Sequence, residues 1–235
     1  MTIAHETILE VSIKKLIDNY NFFKKNISNK TKIIAVIKAY GYGHGDVQIA
    51  KTLESLKVYA FWVADFEEGV RLRKNGITIP IIIANPGRKS EKYILANKLD
   101  IVIHNYELLE IYGNLNKNIN IHIKFNSGMN RYGFNFSDLN QILNTLKRYP
   151  KLNIISLCSH LASSNDPEKD LFTNNQFNLF EKICCLFCKE IGYSVDRHIL
   201  NSYGALRFPE RQYEMIRLGI GSVSYTHLTL PTIMP

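Results

Sequence analysis

The 235 residues carry 29 Lys and Arg against 21 Asp and Glu, a formal charge of +8, and 46% of them are hydrophobic. A chain of this size buries roughly 70% of the surface its unfolded form exposes, so its core needs no disulfide staples, and the disordered and collagen-like classes are excluded. The basic residues are scattered rather than run together, which speaks against nucleic-acid binding, and apolar runs such as Ile79 to Ala84 fall far short of the ~20 residues of a membrane span.

The first residues lack the basic and apolar regions of a secretory signal, so the expected compartment is the cytoplasm, with the four cysteines reduced. A strand is expected over Thr7–Val11, then a helix over Ile13–Lys25 with Ser12 as its N-cap. Strand-length apolar runs follow at Lys32–Ile37, Ala60–Ala64, Ile79–Ile83, Asp100–Ile103, Ile119–Lys124, Asn153–Cys158, His198–Asn201 and Glu214–Leu218. Several are continuous β-branched runs rather than alternations, the pattern of a parallel sheet covered on both faces.

Helical periodicity fills the gaps, as in Val47–Leu56 and in Phe172–Ile191, where Phe177, Phe180, Ile183, Cys184, Phe187 and Ile191 share a face. Cys184 and Cys188 lie one turn apart there and, with no second pair nearby, read as core filling rather than zinc ligands. Eight β units alternating with helices predict an α/β fold, a (β/α)8 TIM-type barrel over residues 13–221, with a doubly wound open sheet as the competitor. The strand within residues 1–12 falls outside the eight and implies a further β layer.

The stretch Ala35-Val-Ile-Lys-Ala-Tyr-Gly-Tyr-Gly-His-Gly45 carries the most chemistry. A charged lysine ending a buried strand costs several kcal/mol if unpaired, so Lys38 either reaches solvent or has work. Gly41, Gly43 and Gly45 let the backbone turn at the C-terminal end of the strand, where barrel active sites lie. A desolvated lysine amine is a Schiff-base nucleophile, whereas a lysine snorkelling beside a Gly-rich turn is the plainer reading. Taken singly, Lys124 and Arg131 read as strand-end charges, His160 as a structural imidazole, Asn201-Ser202 as turn chemistry and Arg217 as a barrel-end ion-pair partner.

Val36 to Gly45 resembles the cofactor-attachment motif of the alanine racemases. The resemblance implies that Lys38 carries pyridoxal 5′-phosphate covalently and acts as a catalytic base, and that Tyr42 hydrogen-bonds the phosphate. Lys124-Phe-Asn-Ser-Gly-Met-Asn-Arg131 is similar to the family's Lys-x-x-[Ser/Thr]-Gly-Met-x-Arg segment. Arg131 then contacts the cofactor phenolate and the substrate carboxylate, and Lys124 matches a lysine that some members carbamylate. Ser159 to Asp166 resembles the loop whose histidine, here His160, packs on the pyridine ring. Asn201-Ser202 matches a phosphate-binding pair. Glu214 to Ile220 resembles Met-x-Arg-x-Gly-Ile, in which the arginine, here Arg217, meets the pyridine nitrogen and the backbone of Gly219 and Ile220 binds phosphate. A guanidinium with a pKa above ~12 only donates, so it leaves that nitrogen unprotonated and the ring a weaker electron sink.

The resemblance implies a cytoplasmic homodimer that interconverts L- and D-alanine by two bases and supplies D-alanine for peptidoglycan. A racemase of serine or of a broader amino-acid set, and a non-catalytic single-domain pyridoxal phosphate-binding protein, are the alternatives. The match fades after Gly221: residues 222–235 lack helical periodicity and hold two prolines, and are expected to be a non-native tail. On that reading the last barrel helix, the C-terminal β-domain and the second base, a tyrosine of the partner subunit, are missing, and the fragment alone is inactive.

Overall fold

A computed structural model describes residues 9–223 of the chain. Thr7 and Ile8 of the expected first strand, and residues 224–235 of the tail, lie outside the described residues; Leu9 to Val11 belong to no strand. Eight strands follow: β1 (Lys32–Val36), β2 (Ala60–Val63), β3 (Ile81–Ile83), β4 (Asp100–Ile103), β5 (Ile119–Lys124), β6 (Leu152–Cys158), β7 (Asp196–His198) and β8 (Met215–Leu218). All ladders are parallel, in the order β7-β6-β5-β4-β3-β2-β1-β8.

The seam between β7 and β8 decides between barrel and open sheet. Arg217 N–H donates to the Leu200 carbonyl (3.0 Å), and the Glu214 carboxylate accepts from the Arg197 backbone N–H (2.9 Å) and guanidinium. These bonds bring the two ends of the sheet together, so the strands form a nearly closed barrel, as their alternation with helices predicts.

Six strands differ from expectation, β1, β2, β6 and β8 by one residue at one end and β3 and β7 by more. The ladder of β7 runs over Asp196–His198 instead of His198–Asn201, because Asn201 leaves the sheet to cap the helix Ser202–Arg207, its side chain accepting from Gly204 N–H. β3 begins at Ile81 because Pro80 has no N–H to give to a ladder. The first helix, Ile13–Lys25, keeps its expected bounds, and the Ser12 side chain accepts from Lys15 N–H.

Alternation along the strands divides the core in two. Ile33, Ala35 and Ile37 face outward into the layer shared with the helices, where Phe177, Phe180, Ile183, Cys184 and Phe187 of the helix Asp170–Ile191 are buried. Ile34, Val36, Ala60, Trp62, Ile82 and Val102 face the lumen and fill its β1–β4 side with apolar surface. The β5–β8 side of the lumen is polar: it buries His122, Ser156, His198 and Arg217. Among the described residues no helix is long and apolar enough to cross a membrane.

The fully buried Phe187 ring packs edge-on against Phe125 beneath β5. Phe187→Ala is expected to lower the unfolding free energy by about 3–5 kcal/mol in urea denaturation. Substitution of the exposed Cys185 on the same helix should change it by less than about 0.5 kcal/mol.

Candidate active site

Lys38 sits where β1 ends. Ile37 N–H still donates to the Trp62 carbonyl (3.0 Å), and then the chain turns left-handed, with φ of 53° at Ala39, 55° at Tyr40, 62° at Gly41, 57° at Tyr42 and 85° at Gly43. For a residue with a Cβ this conformation costs roughly 1–2 kcal/mol, and Ala39, Tyr40 and Tyr42 each bear that cost. A buried carboxylate offsets it: Glu68 Oε1 accepts from Ala39 N–H (2.6 Å) and Oε2 from Ala64 N–H (2.7 Å), tying the turn to the end of β2. Beyond the turn, buried Asp46 accepts from Arg71 Nε (2.9 Å) and Nη2 (2.5 Å). A Cβ on Gly41 would stand 2.9 Å from Ile49 Cδ1, so the inner corner of the turn has no room for one.

The turn overhangs a cavity of about 500 Å³ at the C-terminal ends of the strands. Every residue singled out from the sequence lines it: Lys38, Tyr42, Lys124, Arg131, His160, Asn201, Ser202, Arg217, Gly219 and Ile220. Lys38 itself is exposed. Of the two readings of a lysine at a buried strand's end, it is the solvent-reaching one that the burial pattern matches: the side chain stands at the open mouth of the cavity, where no described residue covers it.

At one end lie neutral donors. Ser202 Oγ accepts from the backbone N–H of Gly219 (3.0 Å) and Gly221 (3.3 Å), which frees its own proton to point elsewhere. A Cβ on Gly219 would come within 2.7 Å of Tyr42 Oη, so the glycine keeps that hydroxyl's approach open. Burial pushes the Tyr42 phenol up to about 12, which holds it protonated and a donor at neutral pH. Asn201 contributes less directly, since its Oδ1 accepts from Gly204 N–H (2.8 Å) and Ser164 Oγ (2.8 Å) as a helix cap.

At the other end lies Arg217, 5% exposed. Its Nη2 donates to the carbonyls of Ser159 (2.6 Å) and Ile199 (3.1 Å) and to His160 Nδ1 (3.1 Å); its Nη1 donates to the His198 carbonyl (3.3 Å) and, closely, to His198 Nδ1. The Nε–H has no hydrogen-bond partner among the described residues. Burial lowers the guanidinium to about 10, still protonated at neutral pH. Burial, with Arg217 next, also holds His160 well below its ordinary range, so its imidazole is neutral. Lys124 is brought down to about 8, chiefly by burial and then by Arg217, Arg131 and Lys38. Arg131 is exposed at the edge and pairs with no carboxylate among the described residues.

The lining holds four cations, Lys38, Lys124, Arg131 and Arg217, and no acidic residue. Sequence reasoning missed Trp62, whose ring lies under the Arg217 guanidinium at 5.4 Å, and Tyr132, which packs on His104 at 4.7 Å. Trp62 was accessible in principle, since it pairs in register with Val36 of the lysine motif. Glu68 gave no such signal, because its role depends on two amides that only the fold brings together.

The family model of the alanine racemase N-terminal domain matches residues 11–227. The chain belongs to this family. It is 32% identical over 227 residues to alanine racemase 1 of Oceanobacillus iheyensis, a match that covers 94% of this chain and 60% of that protein. It is 32% identical over 237 residues to the serine/alanine racemase of Enterococcus gallinarum, covering 96% of this chain and 33% of that one. The solved alanine racemase of Bacillus anthracis with bound L-Ala-P has a TM-score of 0.87 and 27% identity, over 94% of this chain and 58% of that one. The chain thus spans about 60% of the length of the alanine racemases it matches.

If Glu68 holds the turn, Glu68→Ala removes a charged acceptor from two part-buried amides and is expected to cost about 2–4 kcal/mol in urea denaturation. An unchanged midpoint would show that the turn needs no brace.

Proposed function

We propose that the chain binds pyridoxal 5′-phosphate at this cavity, with Lys38 as the attachment point, and that the whole protein interconverts L- and D-alanine. One observation carries the reading: four cations and no carboxylate line a cavity whose far end offers neutral N–H and O–H donors. A phosphate dianion, a phenolate and an amino-acid carboxylate each find a complement there.

The residues fit the cofactor. Tyr42 Oη, the Ser202 hydroxyl and the Ile220 amide are the donors for the phosphate, while the Gly219 N–H, held by Ser202 Oγ, fixes that hydroxyl's orientation, and a Cβ on Gly219 would come up against Tyr42. The Arg217 Nε–H is a donor for the ring nitrogen, and neutral His160 lies beside it. Arg131 is the cation for the phenolate and the substrate carboxylate. When bound, pyridoxal phosphate supplies an electron sink for the pair left as the Cα–H bond of an amino acid breaks. The protein's part is to hold and move protons: the Lys38 Nζ takes the α-proton on its side, the one D-alanine presents, and a second base serves the opposite face. Arg217 stays a donor and does not give its proton to the ring nitrogen.

Lys124 deserves a role of its own. A carbamate forms when a free amine adds carbon dioxide and releases a proton, and an amine near 8 is substantially free at slightly alkaline pH. On carbamylation a cation becomes an anion that orients neighbouring Arg131. With ¹³C-bicarbonate, a carbamate carbon signal is expected to grow as pH rises toward and past 8 and to be absent in Lys124→Ala. Its persistence in that variant would place the modification elsewhere.

The attachment test uses borohydride. After incubation with pyridoxal phosphate and reduction, the phosphopyridoxyl mass is expected on the Lys38 peptide and not in Lys38→Ala. Labelling of another lysine at equal yield in both chains would overturn the assignment. The Enterococcus gallinarum relative, a serine/alanine racemase, favours a second substrate. Deuterium exchange at Cα, run with D-alanine and D-serine side by side, is expected to favour alanine; equal rates would extend the substrate to serine.

A further inference from the structure

The polar half of the barrel lumen forms one connected line. Arg217 Nη1 meets His198 Nδ1; His198 Nε2 lies 2.9 Å from Ser156 Oγ; Ser156 Oγ lies 2.6 Å from His122 Nδ1; and His122 Nε2 faces Asp100 Oδ2 at 3.8 Å. Asp100 opens β4 at the opposite end of the barrel from the cavity, and its Oδ1 accepts from Asn120 Nδ2 (3.0 Å). His122, Ser156 and His198 are fully buried, so each proton on this line must have a protein acceptor or go without.

We propose that Ser156 and His122 extend His198 into a one-way hydrogen-bond relay, with the Asp100 carboxylate 3.8 Å beyond it as an electrostatic terminus, that positions Arg217 from the far end of the barrel, which makes them positioning residues for the cavity. The direction follows from the donor inventory. A guanidinium only donates, so His198 Nδ1 accepts and the His198 proton sits on Nε2. That proton goes to Ser156 Oγ, whose own proton goes to His122 Nδ1, which leaves the His122 proton on Nε2, aimed at a carboxylate. The opposite tautomer of His122 would set a bare ring nitrogen against the Asp100 carboxylate at 3.8 Å, where His122 Nε2 has no hydrogen-bond partner among the described residues, and would leave the Ser156 proton without an acceptor. A charge on His198 is also excluded: burial, then Arg217, keep it far below its ordinary range and neutral.

What the relay supplies is orientation. Each ring has one tautomer and one rotation that satisfies both neighbours, so the guanidinium cannot swing toward the cavity without breaking the line. The importance of Arg217 at the cofactor ring rests on the proposed function, whereas the relay is read in the chain without cofactor, so failure of one is distinguishable from failure of the other.

The test is long-range ¹H–¹⁵N correlation on the ¹⁵N-histidine-labelled chain, which reports the protonated nitrogen of each imidazole. His198 and His122 are expected to carry hydrogen on Nε2 alone at neutral pH. An Nδ1–H tautomer or an imidazolium at His198 would overturn the proposal. In Ser156→Ala, exchange of the Arg217 Nε–H with water is expected to rise tenfold or more, and Ser156→Thr, which keeps the hydroxyl, should restore it. A folded Ser156→Ala chain with unchanged Arg217 exchange would refute the positioning role. If that variant does not fold, the tautomers of the parent and of Ser156→Thr decide.

Discussion

Arg217 is a buried cation whose partners are three carbonyls and two neutral imidazoles, with no carboxylate among them. Burying a charge costs several kcal/mol unless its donors are met, and here the Nη donors are met by groups that do not cancel the charge, while the Nε–H is left for a ligand. The positive field is therefore kept, and it reaches outward: after burial itself, Arg217 helps to hold His160 and His198 neutral and to lower Lys124. A floor of this kind favours anions in the space above it, and it keeps the surrounding imidazoles as hydrogen-bond acceptors rather than competing cations.

The rest of the architecture serves that arrangement. The apolar β1–β4 half of the lumen gives the guanidinium an indole to lie on, Trp62, while the β5–β8 half gives it acceptors. The left-handed turn after β1 projects Tyr42 across to Gly219 at the end of the neighbouring β8, so the strand bearing Lys38 and the strand bearing Arg217 share one cavity wall. β1 and β8 are ladder neighbours, with Ile34 opposite Arg217, which is why two motifs nearly 180 positions apart meet.

Much of this was legible before folding. The β-branched runs marked the strands because parallel strands covered on both faces leave a continuous apolar signature. The site residues were legible by resemblance, since their types and spacing recur as fixed segments. Strand ends were less legible: at β7 the competition between ladder and helix cap was won by Asn201, and nothing in His198–Asn201 announces that. The exposure of Lys38 was one of two readings left open, because a strand pattern says which residues face inward and not how far the cavity is covered. Glu68 and the Ser156–His122 line depend on side chains from different strands meeting in the lumen, which one-dimensional spacing does not encode.

The most direct measurement of the central claim is an experimental structure of the chain with pyridoxal phosphate bound. The account predicts density continuous from Lys38 Nζ, the phosphate among Tyr42, Ser202 and Gly219, and the ring nitrogen facing Arg217 Nε. Attachment at Lys124, or a phosphate seated against Arg131 with the ring reversed, would contradict it.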